Sequence, residues 1–107
     1  MPKHEFGIME RPPIPGERYD RYEPERYNCI CVDDTLIEGL NFAAINFYWH
    51  TLDVPGKGLA YCGITLIPPE SMGAVIAVIQ NISGLEELTG LFVQTRAKNK
   101  FVIHFGI

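Results

Sequence analysis

The sequence has no apolar run of the roughly eighteen residues that a membrane-spanning helix needs. The amino terminus, MPKHEFGIME, also lacks the apolar segment of a signal peptide. Cysteine is scarce, and the three that are present are an odd number, which argues against a closed set of disulfides. Free thiols are typical of a reducing compartment. We therefore expect a cytoplasmic protein without a membrane-spanning segment.

Positive charge is also in short supply. Nine Lys and Arg residues stand against thirteen Asp and Glu residues, which gives a formal net charge of −4. The densest basic stretch is RAKNK, residues 96–100. Nucleic-acid-binding domains normally carry a basic face, so this composition argues against a nucleic-acid partner.

What is present is the composition of one globular domain. The chain has 107 residues, of which 47% are hydrophobic and 21% charged. A chain of this length buries enough surface to fold without disulfides or a bound metal. Residues 1–26 are rich in proline and tyrosine and predict an extended arm, in which residues 3–9 alternate like a short edge strand. Residues 27–107 predict the globular domain.

Within that domain the apolar pattern predicts the order β-α-β-α-α-β. The predicted strands are 27–32, 59–67 and 100–107, and the predicted helices are 35–49, 69–81 and a third that begins after Ser83 and ends before Asn99. Strands joined through helices favour parallel neighbours. We therefore expect an α/β or α+β fold with a small, mixed sheet of three to four strands packed by three helices.

The helix predicted over 35–49 has apolar residues on two sides. One side would face the core, and nearly opposite it lie Phe42, Ile45 and Trp49. A second apolar stripe with large aromatic residues is typical of an interface, although other elements of the chain could also cover it. The stripe predicts a homodimer, with a different protein partner as the alternative.

The alternation of the strands predicts a polar sheet face that holds Cys31, Tyr61, Thr65 and His104. A thiol beside an imidazole is the pattern of a nucleophilic site, so these four are the candidate catalytic residues. The same face is equally compatible with a ligand pocket or with a patch covered by the arm or by a partner. Cys29 and Cys31 lack the spacing and the further ligands of a zinc site, so we expect no metal and no cofactor.

No motif in the sequence requires chemistry. The leading interpretation is a small cytoplasmic interaction or accessory module that self-associates and has no catalytic activity. The alternative is a small enzyme or small-ligand binder that uses the Cys/His/Tyr face of the sheet.

Overall fold

The computed structural model describes residues 3–107 and contains one six-stranded sheet. The strands are β1 (Lys3–Met9), β2 (Ile30–Asp33), β3 (Asn46–Trp49), β4 (Pro55–Lys57), β5 (Ile64–Ile67) and β6 (Phe101–Phe105). The α-helices are α1 (Asp34–Ile37), α2 (Met72–Ile79) and α3 (Glu86–Ala97), and 3-10 turns occupy Pro24–Tyr27 and Pro69–Ser71.

The strand order is β2-β1-β6-β5-β3-β4, and every neighbouring pair is antiparallel. The prediction of a mixed sheet with three to four strands is therefore wrong, and the fold is of the α+β class. Two helices rather than one connect β5 to β6, so the chain re-enters the sheet at the end where β5 finished. Ile67 consequently lies opposite Val102, and Ile64 lies opposite Phe105.

The helix predicted over 35–49 is also wrong. Helix α1 is a single turn that ends at Ile37, and Gly39 follows two residues later. The side chain of Asn41 then accepts a hydrogen bond from the backbone N–H of Ala43 at 3.3 Å, which favours a turn. The aromatic segment NFYW, residues 46–49, has high β propensity and forms β3.

The loss of this helix removes the predicted apolar stripe. Phe42 and Ile45 are only 7% and 9% exposed and belong to the core of the chain itself. The indole N–H of Trp49 donates to the backbone oxygen of Gly58 at 2.9 Å. These three residues therefore do not form one surface stripe, and self-association stays a prediction that needs a different surface.

The predicted edge strand over residues 3–9 exists, but it lies inside the sheet between β2 and β6. The first two residues of the predicted arm lie outside the described residues. The remaining residues 10–26 cross one face of the sheet, and we call this segment the arm from here on. The backbone N–H of Tyr19 donates to the oxygen of His50 at 2.7 Å, and the ring of Tyr22 meets Phe105 edge-on at 5.6 Å.

Both faces of the sheet are covered. The helix face packs on α2 and α3 and contains the buried residues Phe6, Val32, Phe47, Ile67 and Val102. The arm face packs under tyrosines of the arm and contains Met9, Ile64, Leu66, Ile103 and Phe105. Because apolar residues line both faces, hydrophobicity alone did not show which alternate residues meet the helices.

No helix among residues 3–107 is both long enough and apolar enough to cross a bilayer.

Candidate functional site

The structure gathers three of the four predicted site residues on the helix face. Strand pairing sets Thr65 opposite His104, and Tyr61 lies in the loop that leads into β5. The fourth, Cys31, lies opposite Glu5 on the arm face, with its sulfur 3.9 Å from the Glu5 carboxylate. Because Cys31 and His104 lie on opposite faces of the sheet, they do not form a thiol–imidazole pair.

Two residues outside the sequence-based set, His4 and Asp34, complete the group. His4 Nε2 lies 2.8 Å from Asp34 Oδ1, and His4 Nδ1 lies 2.8 Å from His104 Nε2. His104 Nδ1 lies 3.1 Å from the Thr65 hydroxyl. We call this continuous series of hydrogen bonds, Asp34–His4–His104–Thr65, the histidine chain.

Local structure explains how these side chains meet. His4 and His104 occupy adjacent central strands and share the helix face, because His104 is paired with Phe6, two residues from His4. Asp34 is the first residue of α1, directly after β2, the other neighbour of β1. The phenol of Tyr61 donates a hydrogen bond to the same carboxylate oxygen that receives His4.

The donors and acceptors of the histidine chain fit one arrangement with two neutral imidazoles. The Asp34 carboxylate only accepts, so His4 carries its proton on Nε2 and accepts on Nδ1. His104 then donates from Nε2 and accepts at Nδ1 from the Thr65 hydroxyl. Thr65 in turn accepts from the backbone N–H of Ala60 at 2.9 Å. No buried side-chain nitrogen or oxygen of the described residues lacks a partner.

Burial and hydrogen bonding move the pKa values of His104, Asp34 and Tyr61 further from neutral pH. Burial, helped by the neighbouring His4, lowers the pKa of His104 to about 3. The hydrogen bond from Tyr61, followed by that from His4, lowers the pKa of Asp34. The same bond to Asp34 raises the pKa of Tyr61 to about 12. At pH 7, Asp34 is therefore ionised, while His104 and Tyr61 are uncharged.

Solvent reaches only one end of the cluster. His4, His104 and Thr65 are fully buried, whereas the Asp34 side chain is 15% exposed. Tyr61 lines a shallow groove of about 230 Å³ whose walls are largely apolar and whose rim holds Glu38 and Lys57. A ligand in this groove would meet the phenol of Tyr61 before any imidazole.

The arm face holds a second polar group around Glu5. The Glu5 carboxylate accepts a hydrogen bond from the phenol of Tyr22 and lies near the thiol of Cys31. Burial is the main cause that raises the pKa of Cys29 to about 12, and the Glu5 contact raises that of Tyr22 to about 12. Cys29 is therefore a protonated thiol at neutral pH and a poor nucleophile.

A cavity of about 370 Å³ lies between the arm and the arm face. Its lining includes several arginines and acidic residues of the arm. Arg18 is paired with Asp20 at 2.9 Å, and Arg26 is paired with Glu23 at 3.3 Å. These pairs neutralise most of the charge around the cavity, so it lacks a clear preference for an anion or a cation.

A metal site is not apparent in the described part of the chain, since no three His, Cys, Asp or Glu side chains gather there to bind an ion.

Sequence reasoning missed His4 and Asp34 for different reasons. The alternation of residues 3–9 predicts an edge strand, where a histidine faces solvent as readily as the core. Asp34 was one of several acidic residues at a predicted helix start, where the helix dipole is a sufficient explanation. The actual N-cap is Asp33, which accepts from the backbone N–H of Thr35 at 2.9 Å and leaves Asp34 free to bind His4.

Comparison with known proteins finds no matching family model, no similar curated protein and no similar solved structure.

Proposed function

We propose that the protein is a non-catalytic interaction module of the cytoplasm that binds a second copy of itself along the free edge of β2. The observation that carries this proposal is the difference between the two edges of the sheet. β2 is the edge strand on one side and β4 on the other. The β4 edge has more of the features that natural proteins use to prevent strand addition.

The β4 edge is protected. It is three residues long and consists of Pro55, Gly56 and Lys57. Proline cannot donate a ladder hydrogen bond, glycine weakens a strand and lysine adds an exposed charge. Each of these features disfavours the pairing of another strand.

The β2 edge has fewer of these features, because its one charged residue, Asp33, lies at the end of the strand. Ile30, Cys31 and Val32 are uncharged and contain neither proline nor glycine. Cys31 is exposed, and β-branched residues flank it on both sides. An edge with three successive uncharged residues is a template for antiparallel pairing with an identical strand, which a two-fold axis closes into a dimer.

The chemistry of the histidine chain also favours a role without catalysis. A general acid or base works best when its pKa lies near the working pH. The accessible groups of the cluster are Asp34, whose pKa is lowered, and Tyr61, whose pKa is raised to about 12. Neither exchanges a proton readily at neutral pH, and the imidazoles behind them are sealed from solvent.

Placement in the cytoplasm is part of the same proposal. All three cysteines are free, and two of them, Cys31 and Cys62, are exposed. Exposed thiols persist in a reducing compartment.

The test of the proposal is sedimentation velocity over a range of protein concentrations. A pair of four-residue strands buries a small area, so we expect a micromolar dimer that dissociates on dilution. Cys31→Lys places a charge at the edge and should give a folded monomer with an unchanged circular-dichroism spectrum. The matched control is Val54→Lys beside β4, where an exposed valine receives the same charge and the dimer should persist.

Two results would contradict the proposal. One is a wild-type protein that remains a monomer at high micromolar concentration. The other is a dimer that survives Cys31→Lys but dissociates on Val54→Lys, which would place the interface at the opposite edge.

A second candidate function is small-ligand binding in the groove beside Tyr61. It is favoured by the combination of apolar walls with a fixed phenol, which is a common design for a ligand pocket. Anilinonaphthalene sulfonate, a fluorescent probe of apolar pockets, should bind there and brighten. Ala43→Arg, which fills the groove, should abolish the signal, whereas Val93→Arg on the exposed side of α3 should preserve it. Absence of a signal from the wild type would remove this candidate.

A further inference from the structure

The histidine chain contains two buried imidazoles in direct contact. Their facing nitrogens, His4 Nδ1 and His104 Nε2, are 2.8 Å apart, and their rings are nearly parallel, with an interplanar angle of 17°. One hydrogen atom fits between these two nitrogens, so one ring must donate and the other must accept. The contact therefore depends directly on how many protons the pair holds.

We propose that the histidine chain is a one-proton acceptor that reverses its hydrogen bonds when the protein is acidified, and that a second proton separates β1 from β6. The first proton binds His104 at Nδ1, while the proton on His104 Nε2 passes to His4 Nδ1. His4 then holds both ring protons and a positive charge, and His104 remains neutral as the opposite tautomer.

Each group in the histidine chain can serve this reversed arrangement. The cation on His4 lies against the ionised Asp34 at 2.8 Å, so the new charge is compensated. His104 Nδ1–H then donates to the Thr65 hydroxyl, 3.1 Å away. Thr65 has two lone pairs and can accept from His104 and from the backbone N–H of Ala60 together, while its own O–H, which donates to His104 Nδ1 in the neutral state, rotates away from that nitrogen.

The histidine chain cannot accommodate a second proton in the same way. Two imidazolium rings would direct an N–H group at an N–H group over 2.8 Å, with no acceptor between them. The titratable groups that face the pair are Asp34 at the start of α1 and Tyr61 in the loop before β5. Asp34 already balances the first charge, and Tyr61 is uncharged.

The remaining neighbours of His104 offer no second counter-charge. Thr65 of β5 is neutral, and the ring of Phe6, itself packed on Phe92 of α3, lies 4.8 Å from the His104 ring. Burial holds the pKa of His104 far below its usual value. Separation of β1 from β6 exposes both rings to water and relieves the repulsion.

Separation of β1 has a consequence for the proposed interaction edge. In the part of the chain that the structure describes, β2 is joined to the sheet through β1 alone, so β2 leaves the sheet together with β1. Acidification would then dissociate the dimer into monomers, an expectation that rests on the proposed function. The protonation itself does not rest on it, so it is tested on the wild type and also on Cys31→Lys.

The first experiment measures the protonation of the ring nitrogens of the full chain by nitrogen-15 NMR during acidification. In the wild type, His104 Nδ1 should change from acceptor to donor while Nε2 changes from donor to acceptor. Asp34→Asn keeps an oxygen for His4 but removes the compensating charge. It should move the midpoint of proton uptake down by about one pH unit or more, a tenfold loss of proton affinity. Asp20→Asn, at the exposed His50, is the matched control and should leave the midpoint unchanged.

The second experiment measures amide hydrogen exchange at neutral and at acidic pH. On acidification, the segments 3–9 and 30–33 should lose protection before the segments 46–49 and 64–67. Two results would overturn the proposal: an Asp34→Asn midpoint equal to that of the wild type, or loss of protection that is uniform over all strands. Cys31→Lys should give the same two readouts as the wild type, so a failure of self-association is recognised separately.

Discussion

Residues 3–107 contain two histidine–aspartate pairs with the same contact distance in different surroundings. His4 lies 2.8 Å from Asp34, and His50 lies 2.8 Å from Asp20. The His4 ring is fully buried, and its other nitrogen is hydrogen-bonded to His104. By contrast, the His50 side chain is 31% exposed and the Asp20 side chain is 51% exposed. A short contact alone therefore says little about the energetic role of a pair.

The aspartates of the two pairs differ in what sets their charge. The pKa of Asp20 is lowered chiefly by its hydrogen bond to Arg18, and His50 contributes less. The pKa of Asp34 is lowered by Tyr61 and then by His4, both within the cluster. The exposed pair belongs to a solvated network in the arm, where ion pairs contribute little to stability. The buried pair belongs to the histidine chain, in which only the Asp34 end reaches solvent. An unpaired polar group in such a buried network is costly.

His50 has a conformational role that His4 lacks. Its backbone adopts a positive φ of 64°, at the point where the chain leaves β3. The ring packs over Gly63, where an added Cβ would lie 2.8 Å from His50 Nε2. Asn tolerates the left-handed conformation well, which makes His50→Asn a fair comparison for substitutions in the histidine chain.

The largest expected difference between the two pairs is in stability. His104→Ala leaves a cavity and deprives both His4 and Thr65 of a partner, so it should lower the free energy of unfolding by about 3–5 kcal/mol. His50→Asn should lower it by about 1 kcal/mol or less. Urea unfolding, followed by circular dichroism, measures both. Equal losses in the two variants would show that burial does not separate the pairs.

A smaller effect is expected at the far end of the histidine chain. Thr65→Val keeps the shape of the side chain but removes the hydroxyl between His104 and Ala60. Loss of these buried hydrogen bonds should cost about 1–2 kcal/mol in the free energy of unfolding.

The matched control for this substitution is Thr89→Val in α3. The Thr89 hydroxyl donates to the backbone oxygen of Leu85 at 2.8 Å, in the turn before it, and the residue is only partly buried. We expect a change of about 0.5 kcal/mol or less there. A Thr65→Val variant that is no less stable than Thr89→Val would argue against a hydrogen-bonded chain.

Local pattern predicted two of the three expected helices correctly. α2 lies within the helix predicted over 69–81, and α3 lies within the segment between Ser83 and Asn99. Both carry an apolar stripe with helical spacing, a signal that the nearby sequence contains in full. The helix prediction over residues 38–49 is wrong, because it gives more weight to apolar residues at helical spacing than to Gly39 and the turn-forming Asn41.

The sheet and the candidate site depended on information that local pattern does not hold. The contact between His4 and His104 joins residues 100 positions apart, and it requires that β1 pairs with β6. A shift of one residue in the register of β6 would exchange the faces of His104 and Ile103. Alternation identified Tyr61, Thr65 and His104 as a group, but it placed them on the wrong face and added Cys31 to them.

The pH dependence of the free energy of unfolding tests most directly whether burial keeps the histidine pair of the folded protein from charging fully. The pKa of His104 is about 3 in the folded protein and close to 6.5 in an unfolded chain. A lowered histidine pKa gives stability that is fully present above 6.5 and is lost as the pH falls, because the unfolded state binds the proton first. Because of His104 alone, the free energy of unfolding should fall by about 1.4 kcal/mol between pH 7.5 and pH 5.5. This pH range lies above the titration of the carboxylates. His104→Gln should remove that part of the slope, and His50→Asn should retain it. A wild-type protein with the same slope as His104→Gln would contradict the account.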